Sequence, residues 1–301
     1  MDPLSDILAR VHVSSSLFSR AELSAPWAIS TKALPQAIFH VIVRGEGVAQ
    51  SEGEEAHFVA GDILLFLRGS AHIISSGDGA LPAPIAGLPR ENNTGLPCVR
   101  LEGGGRRTTI LCGSMSLAED LSDFLLPLLP PMIHVQGRAT ADWLDQTLRL
   151  MIDEVSGSRP GSDAIITRLA DILLVQILRE EMARPGRGWL SALSDPQIGN
   201  ALTCFHANAA QRWTAQALAR QAGMSRSAFF SRFTALVGEP PSAYITRWRM
   251  CLARAQIRQG GAGLAEVASS VGYGSEAAFS RAFKRQIGVS PAAWRRAASA
   301  L

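Results

Sequence analysis

The chain has 301 residues, is 47% hydrophobic and carries a formal net charge of +3, enough length for two ordinary domains with well-buried cores. No uninterrupted apolar run of about 18 residues is present, and "MDPLSDILAR" opens with an acid and a proline instead of a basic stretch leading to an apolar one, so we expect no membrane span, no signal peptide and a cytoplasmic location. Cys98, Cys112, Cys204 and Cys251 are scattered without CxxC spacing, which gives no sign of a disulfide framework or a paired-cysteine zinc module.

The charge is unevenly placed. From residue 190 onward thirteen Arg and Lys stand against four acids, a net +9, whereas the preceding residues hold 16 basic and 22 acidic side chains, a net −6. A basic C-terminal third suggests a polyanionic partner for that segment, although a solvated surface has the same signature.

In chain order, "AIFHVIVRGEGVAQ", "AHFVAGDILLFLRGSAHIIS" and "RRTTILCG" are short β-like runs separated by glycine turns, expected as strands of an antiparallel sandwich or barrel. Residues 77–107 are crowded with Gly and Pro and predict a long surface loop. From residue 117 the period changes to that of helices, expected in "SLAEDLSDFLLPLL", "TADWLDQTLRLMIDEV" and "SDAIITRLADILLVQILREEMA". The last has an apolar stripe wide enough for core packing and for a share in a dimer interface. "RPGRGW" (184–189) breaks it. Asp195 then caps a helix with Pro196 at its first position, and the remainder reads as short helices divided by glycine turns.

That remainder repeats itself. Phe229, Phe233, Gly238, Pro241 and Tyr244 recur fifty residues on as Phe279, Phe283, Gly288, Pro291 and Trp294, and Leu218, Ala219, Ala222 and Gly223 recur at an offset of 49 as Val267, Ala268, Val271 and Gly272. A one-residue slip confined to a turn is what a duplicated unit tolerates. Each unit predicts a helix-turn-helix: a short amphipathic helix ending at glycine, an N-cap at Ser225 or Ser275, small Ala219 or Ala268 at the helix crossing, and an i,i+4 phenylalanine pair on the buried face. Left outward are Arg226, Ser227, Phe230, Ser231 and Arg232 in the first unit, and Glu276, Ala277, Ser280, Arg281, Lys284 and Arg285 in the second. Small, hydroxyl and Arg side chains at the start of such a helix suit a DNA major groove. Between the units, "YITRWRMCLARAQIR" is expected as a long helix whose Arg247, Arg249, Arg254 and Arg258 touch phosphates.

Residues 190–298, above all "GYGSEAAFSRAFKRQIGVSPAAWR", resemble the AraC/XylS family of bacterial transcription regulators. The N-terminal part, through "DPLSDIL", "APWAI", "FHVIVRG", "AGDILLFLRGSAH", "LLPLLPPMIHV" and "ILCG", is similar to the cupin-type sensor domain of a subgroup of that family. The resemblance implies an α+β chain: a cupin-like β-barrel or sandwich followed by helices (1–184, sensing and dimerisation), a linker (185–193), and an all-α domain with two helix-turn-helix units (194–301). It implies two second helices in successive major grooves on one DNA face. Base-edge contacts then fall to Ser227, Phe230 and Ser231 and to Glu276, Ala277, Ser280 and Arg281, with Arg226, Arg232 and Lys284 as further DNA contacts; Arg281 is the strongest reader because arginine can bond guanine bidentately. The implied partners are double-stranded promoter DNA, a second copy of the chain, a small-molecule effector or stress signal, and RNA polymerase, with activation as the expected output and no membrane.

Cupin enzymes use an HxH pair, a Glu and a later His. Here His40 and His57 are isolated, and "AGDILLFLRGSAH" keeps Gly61, Asp62 and His72 but has Leu67 where proline is usual, so catalysis is disfavoured and the rival, a metal-dependent cupin enzyme with an appended helical domain, stands second. His40, His72 and Cys112 lie on expected strands and can converge inside a barrel, either as pocket lining, which needs no cofactor, or as a zinc-like effector site. Cys98 lies beside Arg100, whose charge would favour a reactive thiolate and a redox role; the plainer reading is an incidental loop cysteine. Cys204 and Cys251 fall on expected helices as small core residues.

Overall fold

The computed structural model describes residues 4–5, 14–91, 97–116, 124, 126–137, 142–157, 159–184 and 188–298. The contacts divide the chain into two compact units: His12–Leu117 with Pro130–Glu181, and Met182–Leu301 with Met1–Val11 and Ala118–Leu129. No described helix is long and apolar enough to cross a membrane.

The first unit holds two sheets. One runs β12 (Ile133–Val135), β6 (Ile63–Phe66), β3 (Ala37–Arg44), β11 (Arg107–Ser116), β1 (Ser14–Ser24), β10 (Cys98–Glu102), β9 (Arg90–Glu91); the other runs β5 (Glu54–Val59), β4 (Glu46–Ser51), β7 (His72–Ser75), β2 (Ala28–Thr31), β8 (Ala83–Pro84). Ala21, Leu23, Ile38, Ile42, Leu64, Phe66, Ile110 and Cys112 of the larger sheet bury against Ile29, Ala49, Phe58 and Ile74 of the smaller and Trp27, which precedes β2. Between such faces each large apolar side chain contributes about 1.5–3 kcal/mol. The expected surface loop 77–107 is corrected in part. It supplies β8, β9 and β10, and β10 pairs in parallel with β1, Glu22 opposite Arg100; residues 92–96 lie outside the described residues. The helices α1 (Asp142–Gly157) and α2 (Ser162–Ala183) follow. α2 has the bounds its sequence pattern predicts, and the expected first two residues of α1, 140 and 141, lie outside the described residues. The helix expected over 116–129 lies mostly outside the described residues, which show a 3-10 turn at Leu126–Leu128.

The second unit is helical: α3 (Trp189–Ser194), α4 (Pro196–Ala207), α5 (Ala215–Gln221), α6 (Arg226–Val237), α7 (Pro241–Gln259), α8 (Leu264–Ser270), α9 (Glu276–Ile287) and α10 (Pro291–Ala298). Of the expected linker, residues 185–187 lie outside the described residues. Asp195 caps α4 as predicted, its Oδ1 accepting from the amides of Gln197 and Ile198. Ser225 and Ser275 cap α6 and α9 by accepting from Ala228 and Ala278. Both helices end on glycine in the left-handed region, Gly238 at φ 88° and Gly288 at φ 89°, where a side chain would be strained. Ala219 and Ala268 are buried at the α5/α6 and α8/α9 crossings, and Phe229, Phe233, Phe279 and Phe283 are all buried. The duplicated scaffold is real in three dimensions.

Candidate nucleic-acid interface and sensor core

The core that holds α6 is built from rings. Tyr244 of α7 accepts a hydrogen bond from Trp189 Nε1 at 2.9 Å and pairs with His206 Nε2 at 2.7 Å, while Phe233 packs edge-on against it. α9 is held by Val267, Val271, Met250, Ala253 and Ile257 around Phe279 and Phe283. With those faces fixed, the opposite faces are dictated: Arg226, Ser227, Phe230, Ser231 and Arg232 on α6, and Glu276, Ala277, Arg281, Lys284 and Arg285 on α9, are exposed, with Ser280 half-buried. Phe230 is 47% exposed, which leaves its ring edge available for apolar contact on that face.

Two of these side chains already have local partners. Ser227 Oγ lies 3.3 Å from the capping Ser225 Oγ. Arg232 Nη2 donates to Asp195 Oδ2 at 2.6 Å. Burial pushes the Asp195 carboxyl up, but the Arg232 guanidinium and the amides of Ile198 and Gln197 together hold it below its usual value. Arg281 has neither a carboxylate nor a carbonyl partner among the described residues. It lines a cleft of about 430 Å³ within the helical unit, together with Arg285, Trp213, Thr214, Ser242 and Thr246.

The arginines of α7 require a correction, because most are structural and not free for phosphate. Arg254 is buried with its guanidinium 4.5 Å above the Trp294 ring. Arg247 pairs with Glu239, donates to the carbonyl of Phe124 and lies 4.7 Å over that ring. Arg249 donates to the carbonyls of Ala209 and Gln211, and burial lowers its pKa. Arginine's fork satisfies carbonyl ends and stacks on rings as readily as it binds phosphate, so a helix joining two units uses it to tie them. Arg258 is exposed.

In the barrel, His40, His72 and Cys112 do converge. Cys112 stands opposite His40 on β11 and β3, with Sγ 3.1 Å from His40 Nδ1; His40 Nε2 is 3.0 Å from His72 Nε2, and His72 Nδ1 is 2.8 Å from the carbonyl of Ser70. The carbonyl only accepts, so His72 carries its proton on Nδ1 and accepts at Nε2 from His40, whose Nδ1 accepts from the Cys112 thiol. Burial pushes the thiol up to about 12. Burial and then His72 bring His40 well below the usual histidine value, and burial likewise lowers His72 although the Ser70 carbonyl opposes it. All three groups are therefore neutral at pH 7. His40 sits between the other two and spends both ring nitrogens on them, so this donor set offers a metal ion no common point; among the described residues no three or more His, Cys, Asp or Glu gather for one. His57 is exposed on β5. Asp62 is a turn residue whose carboxylate accepts from the amides of Val59 and Gly137 and pairs with His134 at 2.8 Å, a partnership across 72 residues that no sequence spacing signals.

Cys98 corrects the thiolate expectation. Burial and Glu22 raise its pKa against the opposing charges of Arg100 and Arg20, since Arg100 is itself paired with Glu22 and Glu91. Cys251 is buried as expected, but Cys204 is only half-buried, beside Asn200 and Gln221.

Comparison with known proteins agrees with this geometry. A family model described as cupin matches residues 2–183, and one described as a helix-turn-helix domain matches residues 218–297. The chain is 35% identical over 308 residues to a protein of Streptomyces lividans described as an AraC-like transcription regulator, covering 98% of each chain. It is 30% identical over 316 residues to the HTH-type transcriptional regulator AlkR of Acinetobacter baylyi, covering 98% of this chain and 99% of that one. Among solved structures it is similar to the DNA-binding domain of AdpA in complex with a target DNA, at 31% identity and a TM-score of 0.34, over 35% of this chain and 95% of that one.

Proposed function

Because the chain belongs to the AraC-type family of DNA-binding transcription regulators and carries a cupin domain at its N-terminal side, we propose that α6 and α9 are its two recognition helices, reading successive major grooves on one face of promoter DNA. The chain is a regulator and not an enzyme. The observation that carries the proposal is the same buried scaffold occurring twice beneath two unlike exposed faces. Identical cores place the helices alike; different faces read different bases.

In this reading Arg281 bonds a guanine edge, Glu276, Ala277 and Ser280 complete the second half-site, and Ser227, Phe230 and Ser231 supply hydroxyl and apolar contacts in the first. Arg226 and Lys284 meet phosphates, and Arg232 does so only by leaving Asp195. The cleft beside Arg281 and Arg285 accepts the backbone that runs between the grooves.

The regulator acts in the cytoplasm as a homodimer. Ile165 and Ile172 of α2 are 44% and 49% exposed with half-buried Leu169 between them, and Leu150 of α1 is 55% exposed, an i, i+4, i+7 seam that suits pairing with a second copy. A small-molecule effector or stress signal received by the β-sheet unit sets DNA affinity, no cofactor is required, and contact with RNA polymerase makes the output activation. Selecting bound sequences from a random DNA pool with the full chain tests the reading. It predicts a bipartite motif with parts about one helical turn apart and affinity that drops steeply with salt; an unenriched pool contradicts it.

A further inference from the structure

The outer face of the larger sheet carries a charged band whose parts do not balance. The strand registers align Arg44, Thr109, Glu22 and Arg100 in one row across β3, β11, β1 and β10, and Arg107, Ser24 and Glu102 in the row beside it. Residues facing each other across such a ladder have Cβ atoms about 4.5–5.5 Å apart, so the rows form one continuous floor. Glu22 is taken twice, by Arg20 at 2.6 Å and Arg100 at 3.1 Å, and Arg100 also binds Glu91 at 2.8 Å. Arg44 and Arg107 have no carboxylate partner among the described residues, and Glu102 is the only other acid on the rim.

This floor lies in a cavity of about 430 Å³ that is also lined by Gly104 and Gly105 of the Gly103–Gly105 turn. The amides of Gly103 and Gly105 donate to the carbonyls of Ser24 and Ala25. A Cβ at either glycine would come within 2.5 Å or 2.7 Å of the Ala25 carbonyl oxygen, so the turn can lie this close only as glycine. The volume falls in the range of small-ligand sites, and the side chains lining it are four arginines against Glu22 and Glu102, with threonine and serine hydroxyls and Leu23, a lining that favours a charged ligand over an apolar one.

We infer that this cavity binds a small anion, a carboxylate- or phosphate-bearing metabolite held between Arg44 and Arg107. Two guanidinium forks bond either headgroup bidentately, and Thr109 and Ser24 offer hydroxyls from the floor between them. The site lies on the outside of the sheet, apart from the buried His40–His72–Cys112 chain. It rests on the sensor reading above only for its consequence on DNA binding.

Titrating the full chain with inorganic phosphate and, separately, succinate at constant ionic strength tests it by calorimetry. Saturable binding is expected, about tenfold weaker in Arg44→Ala and in Arg107→Ala, each of which loses charged hydrogen bonds, and partly restored by Arg44→Lys. The headgroup that binds more tightly identifies the ligand class. Heat that never saturates with either anion, or binding unchanged in the folded double variant, overturns the site. Binding that leaves affinity for DNA unchanged overturns the sensor reading and leaves the anion site standing.

Discussion

Arg232, on the exposed face of α6, holds Asp195, the N-cap of α4, at 2.6 Å. One carboxylate thus closes a helix end and anchors a side chain that its position offers to DNA. The exposed face of α6 thus has one arginine committed to the protein, while Arg281 of α9 has no such tie among the described residues.

Asp195→Ala removes the cap and should lower stability by about 1 kcal/mol, seen as a shift in the denaturation midpoint. The carboxyl is held below the usual Asp value of 3.8, so its contribution is complete at neutral pH and is lost only as pH falls below that value. Asp195→Ala should also free Arg232 for phosphate and strengthen binding to random DNA slightly. Equal stability of variant and parent would remove Asp195 from its capping role.

Phe283 is fully buried against α7 and α8. Phe283→Ala should cost about 3–5 kcal/mol, with Phe233→Ala comparable because it fills the equivalent place in the first unit. An unchanged melting temperature would contradict the buried assignment.

His40 gives the β-sheet unit a pH dependence of definite sign. Its folded pKa lies well below 6.5 because burial and His72 oppose its charge, whereas the unfolded chain takes up a proton near 6.5. Stability is therefore greatest above that pH and declines as pH falls toward the folded value. Melting temperatures between pH 7.5 and 5.5 should fall for the native chain and fall less for His40→Gln. Identical slopes would show that another group carries the effect.

Much of this was readable in the sequence. The 3.6 period of α2 and the fifty-residue recurrence of Phe, Gly and Pro are local signals, and local signals specify helices, caps and turns. β1 and β10 were not legible: Ser-rich "SSSLFSRAELS" lacks apolar alternation, and "CVRLE" lies in a Gly- and Pro-rich stretch, so each is a strand only through its neighbours. The arginines of α7 show the same limit. Charge is visible in sequence, but whether a guanidinium meets phosphate, a carbonyl or the Trp294 ring depends on what the fold brings beside it. His40, His72 and Cys112 could be named as a set, yet their order as a hydrogen-bonded chain follows from the register that sets Cys112 opposite His40.

The most direct test of the account is the affinity of Arg281→Ala for a selected operator and for a scrambled sequence of equal length. Loss of one bidentate guanine contact predicts about 1–3 kcal/mol weaker binding to the operator, little change on scrambled DNA, and an unchanged melting temperature, since Arg281 is exposed. Equal losses on both sequences would place Arg281 on phosphate and contradict the assignment of α9 as the principal reader.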